Sequence, residues 1–184
     1  MTISIRPETA ADIPIIEALT AAAFLNAQHT SHTEQFIVNA LRAADQLTLS
    51  LVAEEESKVV GHIAVSPITI SNERAQWYGL GPVSVSPERQ GQGIGSGLIR
   101  QALAELRRLG AAGCVVLGDP HYYGRFGFTA TSNLVLPGVP PEYFQAILLN
   151  LNATSPTGVV SYHEAFNASP PTSTADTPQV APDC

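Results

Sequence analysis

The chemistry of this chain concentrates in the run Arg89-Gln90-Gly91-Gln92-Gly93-Ile94-Gly95-Ser96-Gly97, in which four of the last seven residues are glycine. Glycines at that density free the backbone for positive φ and for close approach by a ligand. A strand-like apolar stretch, Leu80 to Val85, leads in, and an amphipathic helix pattern leads out. A helix that begins inside such a run presents unpaired N–H groups backed by the positive end of its dipole. That arrangement binds anions, phosphate above all.

Three phosphate loops compete for the run. A P-loop needs a lysine after its last glycine, and the single lysine of the chain is Lys58. A dinucleotide fold needs G-x-G-x-x-G after the first strand of a parallel series. Neither Gly91 nor Gly93 starts that spacing. The third form, Q/R-x-x-G-x-G/A, is present as Gln90-x-x-Gly93-x-Gly95, preceded by Val83-Ser84-Val85-Ser86-Pro87.

At 184 residues the chain suits one domain, expected over residues 1–167. Four prolines and several Ser and Thr residues beyond Asn167 suggest a disordered tail over 168–184. The net charge of −7 argues against a nucleic-acid or anionic-membrane partner. Yet five of the nine basic residues, Arg89, Arg100, Arg107, Arg108 and Arg125, fall between Glu88 and Arg125 beside three acids. Such a segment fits a small polyanion, and a solvated helix face accounts for part of it. Cys114 and Cys184 suggest no disulfide framework, and no leader or long apolar span stands out, so a cytoplasmic protein is expected. No spacing suits a metal site.

The elements that must position the glycine run read as β-α-α-β-β-β-α-β-α-β-β. Ile3 to Arg6 alternates as a strand. Ile13, Ile16, Leu19 and Ala23 mark a helix ending near Phe24, capped by Thr9 or Asp12. Phe36, Ile37 and Leu41 mark a second helix, and the polar loop Asn26 to Ser31 between the two could border a substrate. Strands follow at Leu47–Ala53, Val59–Ile70 and Trp77–Val85, with Pro82 read as the point where ladder pairing begins. Ile94, Leu98, Ala102, Leu106 and Leu109 give the central helix. Gly113–Leu117 is a buried strand, parallel to the one before the run because a helix crosses between them. Asp119-Pro120 starts a short helix, and Phe144–Leu149 and Gly158–Tyr162 are late strands. The class is mixed α/β, mostly antiparallel with one parallel crossover.

With Tyr123-Gly124-Arg125-Phe126-Gly127-Phe128 one crossover later, the chain resembles the GNAT N-acetyltransferase superfamily, from about Ile3 to Phe166. The stretch Gly118 to Phe128 looks like a bacterial subgroup known only as predicted acetyltransferases. The resemblance implies a V-shaped splay between the two central parallel strands, acetyl-CoA as cosubstrate without a metal, and an amine on a small molecule or protein as acceptor. A homodimer is left open. It also implies a coenzyme site at Val83, Ser84, Val85, Gln90, Gly91, Gln92, Gly93, Ile94, Gly95 and Ser96. The pyrophosphate would sit on amides from about Gly91 to Ser96, and the pantetheine arm would pair with open strand backbone.

Transfer from a thioester needs a neutral amine, a donor for the carbonyl oxygen and a proton for the departing thiolate. By resemblance a backbone N–H near Val85 or Ser84 serves the oxygen, and Tyr123 is the catalytic residue that protonates the sulfur. Tyr122 is expected in the core or lining the pocket. Candidate bases are Glu73, His62 and His121, with water as the alternative. His29 and His32 could line the acceptor pocket. Related sequences often hold an asparagine where this chain has Gly118-Asp119-Pro120-His121, and Asp119 is expected to cap a helix instead. The other reading is a non-catalytic acyl-CoA-binding module. A longer acyl donor is a third.

Overall fold

The computed structural model describes residues 2–28 and 30–171, so His29, Cys184 and most of the expected tail lie outside the described residues. Four strands start the sheet in antiparallel succession: β1 (Ile3–Pro7), β2 (Leu49–Glu55), β3 (Lys58–Ile70) and β4 (Glu73–Val85). Tight turns join the last three. Glu56 and Ser57 both have positive φ, and so do Ser71 and Asn72, the conformation that matches the twist of hairpin strands. The second turn carries β4 back to Glu73, four residues before the expected start at Trp77.

α1 (Ile13–Phe24) and α2 (Glu34–Ala43) pack on one face through Ile16 and Val38 against Val52 and Ala64. Buried Asp12 accepts from the Thr9 amide and hydroxyl at the entry to α1 and pairs with Arg6. α3 (Ile94–Arg108) covers the other face, burying Leu98, Ile99, Ala102 and Leu106 against Ile63, Val65, Leu80 and Cys114. Each leucine or isoleucine buried there contributes roughly 1.5–3 kcal/mol by leaving water. Gly61 permits the close crossing, since a Cβ there would lie 2.9 Å from Ile94.

After α3 come β5 (Gly113–Leu117), α4 (Pro120–Tyr123), β6 (Thr129–Ala130), β7 (Leu134–Val135), β8 (Phe144–Leu148) and β9 (Gly158–Ser161). The sheet runs β1-β2-β3-β4-β5-β8-β6, with β9 bridging β3 and β7. Between β4 and β5 the pairing is parallel. A further parallel contact, β7 with β9, joins two short late strands. Sequence periodicity did not show β6 and β7, which have two residues each.

The site depends on where β4 and β5 part. Their register covers Trp77↔Gly113, Tyr78↔Cys114 and Gly79↔Val115, then stops. Opposite Ile63–Val65 of β3, β4 runs Leu80 to Val83, one residue more, and this bulge holds Gly81 (φ 132°) and Pro82. Bulges bend a strand and end pairing. The result is a V-shaped fork. Pro82 therefore lies just past the end of the parallel ladder, and antiparallel pairing to β3 runs on both sides of it. This reverses the sequence expectation that pairing begins there.

Candidate active site

Beyond the bulge β4 has a partner on one edge only. The Ser86 amide donates to the Val60 carbonyl at 2.9 Å, so Ser86 and, two residues back, Ser84 turn their amides toward β3. Successive strand amides point to opposite edges, which leaves those of Val83 and Val85 facing the fork. The Gln90 side chain confirms the orientation, donating to the Val85 carbonyl at 3.1 Å on that open edge. Ser84 turns its side chain to the opposite face, fully buried, with Oγ donating to Thr20 Oγ1 at 3.2 Å. Of the two amides weighed for a carbonyl oxygen, only that of Val85 faces the fork.

The glycine run turns the chain from β4 into α3. Gly91 and Gly93 take φ of 75° and 82°, which side-chain-bearing residues adopt at a cost. Gly93 is the N-cap, and the first amide to find an intrahelical partner is that of Gly97, bonded to the Gly93 carbonyl at 2.9 Å. The amides of Ile94, Gly95 and Ser96 thus point out of the helix start. Arg89 enters the same space while pairing with the buried Glu55 carboxylate.

α4 brings the aromatic wall. Asp119 caps it, accepting from the His121 amide at 2.8 Å, as expected from the sequence. Tyr122 leans over the start of α3, its hydroxyl 3.5 Å from Ser96 Oγ. Arg125 stacks 4.4 Å above the Tyr122 ring and donates from Nε to the Tyr122 carbonyl. Tyr123 packs edge-on between Tyr122 (5.0 Å) and Phe128 (6.1 Å), over bare Gly118, where a Cβ would collide with its ring. Burial, with a smaller push from Tyr122, raises the Tyr123 phenol to about 12. It keeps its proton at any physiological pH.

These parts enclose a cavity of about 530 Å³. Val83, Val85, Gln90, Gly91, Gly93, Ile94, Gly95, Ser96 and Tyr123 line it, with Tyr122 beside them. Ser84 and Gln92 do not, and Gln92 turns back to the Glu88 carbonyl. Ala23, Phe24 and Ala27 close the cavity from the end of α1. Sequence reading took Ala23 for core and gave Phe24 only as the end of the helix, whereas Ala27 belongs to the loop it expected could border a substrate. A neighbouring hollow is lined by Arg100, Arg107 and Arg125, none of which has an ion-pair partner among the described residues. The surplus arginines of this segment thus gather beside the cavity, where they attract a polyanion.

None of the three candidate bases lines the cavity. Glu73 starts β4 and is exposed, ten residues or roughly 30 Å of strand from Val83. His62 is fully buried, with Nε2 2.8 Å from Ser50 Oγ beside the Glu8–Arg42 ion pair. Burial lowers His62 to about 4 against the opposing pull of Glu8. His121 is exposed on α4, as is His32 on its loop. Among the described residues, the titratable groups on the cavity wall are Arg89, Arg125 and the two tyrosines.

An anion-binding helix start, an open strand edge and a protonated phenol thus meet at a fork in one sheet. Residues 4–131 match the family described as the acetyltransferase (GNAT) domain. The chain belongs to the GNAT acetyltransferase family. It is 37% identical over 168 residues to an Escherichia coli K12 protein named uncharacterized N-acetyltransferase YhbS, covering 89% of this chain and 98% of that one. Among solved structures, a GNAT acetyltransferase from Brucella melitensis in complex with acetyl-CoA is 50% identical, with a TM-score of 0.80 over 90% of this chain and 98% of the other. The Escherichia coli YhbS structure in complex with CoA is 38% identical, also at TM-score 0.80, over 90% and 92%. The GNAT fold, with its mixed, mostly antiparallel sheet, is common to all three. No helix among the described residues is long and apolar enough to cross a membrane.

Proposed function

We propose that this GNAT acetyltransferase moves an acetyl group from acetyl-CoA to a primary amine by direct attack of the amine on the thioester. The observation that carries the reading is the convergence of the open β4 edge, the free amides of α3 and Tyr123 on one cavity. Gly91 to Ser96 hold the pyrophosphate. Val83 and Val85 pair with the extended amide arm as an added strand would, and their N–H groups are the donors available to the carbonyl oxygen.

The amine nitrogen forms a bond to the carbonyl carbon and the carbon–sulfur bond breaks, its electron pair leaving with sulfur. Tyr123 gives its proton to that thiolate and regains one from solvent. The amine's surplus proton passes to water, because no carboxylate or imidazole lines the cavity among the described residues. Residues 1–167 form the catalytic domain, and the cytoplasm is the compartment. The acceptor is an amine of a small molecule or protein, and the acidic net charge of the chain favours one that is otherwise cationic.

The test is a panel of primary amines incubated with acetyl-CoA and the purified chain. Equimolar free thiol and N-acetylated product are expected for at least one amine. Acetyl-CoA binding without transfer to any of them would favour a non-catalytic binding module.

A further inference from the structure

The fork has a second face, and a second tyrosine occupies it. Along β4, Ala75 and Trp77 face away from α3, packed with Val115 and Phe144, whereas Tyr78 and Leu80 face α3. Gly79, the last residue in register with β5, therefore faces away from α3. Tyr162, just past β9, lays its ring there. A Cβ on Gly79 would collide with the ring's Cε1 and lie 3.1 Å from Cδ1. Phe166 backs that ring at 4.7 Å, and β9 is anchored to β3 through Ser161↔Thr69 and Val160↔Ile70. Tyr123 covers Gly118 on the α3 face, so the two rings flank the same fork from opposite sides.

We propose that Tyr162 is the wall met by the acyl group and the residue that restricts the donor to a short chain such as acetyl. The proposal rests on the acetyl-CoA reading above. Gly79 and Tyr162 lie behind the cavity described above, not among its lining residues; in this proposal an acyl group carried on sulfur at the fork extends past Val83 toward Gly79, where the Tyr162 ring fills the space a longer chain would need. The ring has no slack, with Gly79 on one side and Phe166 on the other. Burial raises its phenol well above the usual range, and Cys114 and Tyr123 add to that, so the hydroxyl keeps its proton.

The test is a calorimetric titration of the whole chain with acetyl-CoA, propionyl-CoA and butyryl-CoA. It needs no acceptor. For the wild type, butyryl-CoA should bind at least about tenfold more weakly than acetyl-CoA, the usual penalty for extra methylenes in a closed pocket. Tyr162→Phe keeps the ring and should keep that ratio. Tyr162→Leu and Tyr162→Ala should bring the two affinities to within about threefold, and the leucine variant guards against loss of fold because it still covers Gly79. A butyryl-to-acetyl ratio unchanged in a folded leucine or alanine variant would overturn the role of Tyr162 alone. So would a wild type that binds both donors alike. A wild type that binds no acetyl-CoA would overturn both this proposal and the reading beneath it.

Discussion

At the scale of single residues, Tyr123 and His62 show how burial assigns opposite roles to two titratable groups. Tyr123 retains its proton beside the cavity, the state a donor to a thiolate requires. Tyr123→Phe should lower kcat about a hundredfold or more while leaving coenzyme affinity within about twofold. Steady-state kinetics with a parallel titration checks this, and unchanged kcat would remove the tyrosine from the mechanism. His62 is held neutral, its folded value about 4 against about 6.5 unfolded. Between those values the unfolded chain binds a proton that the folded chain does not, so stability falls as pH falls through that window. Denaturation at pH 7 and 4.5 should differ by about 2 kcal/mol from this group, and His62→Gln should lose that difference. An identical slope in the variant would locate the sensitivity elsewhere. The place of Tyr123 on the cavity wall was legible because Tyr123 to Phe128 resembles the Tyr-x-x-x-Gly-Phe ending of the GNAT family. Tyr162 was not, because nothing local to Ser161-Tyr162-His163 reports that a glycine 83 positions earlier lies under its ring. The face that Ser84 takes was hidden for a related reason, since the bulge at Gly81-Pro82 decides which face each later β4 residue takes.

At the scale of elements, the fork and the start of α3 make the site, and they differ in how openly the sequence shows them. The α3 pattern and its glycine entry are written in spacing. The fork is not, because the end of parallel pairing at Gly79↔Val115 is a property of two strands separated by a helix. The length of β4 was likewise hidden, since Ser71-Asn72 reverses the chain without glycine or proline, through two positive-φ residues. The glycine entry is directly testable. A Cβ on Gly93 would meet no protein atom within 4 Å, so a side chain there intrudes on the ligand rather than on the core. Gly93→Val should cost about 1–2 kcal/mol of stability from the left-handed φ and weaken acetyl-CoA binding at least tenfold. Thermal melting and calorimetry separate the two effects, and near-wild-type affinity in the variant would refute the cradle.

At the scale of the whole molecule, an acidic chain carries a basic, polyanion-seeking patch around one cavity whose wall, among the described residues, holds no carboxylate or imidazole to act as a base. The pH dependence of turnover should therefore follow the acceptor. kcat/KM should rise with pH up to the pKa of each amine tested and shift from one amine to another. A fixed break near 6.5 for every amine would instead point to a histidine in the reaction. The central claim is that acetyl-CoA occupies the fork, with its phosphates on the start of α3. Amide hydrogen exchange, followed residue by residue with and without acetyl-CoA, tests it most directly. Binding should slow exchange at Val83, Val85 and across Gly91 to Ser96, and leave the far end of β4 near Glu73 unchanged. Protection that spared the glycine run and the fork and appeared elsewhere on the sheet would contradict the account.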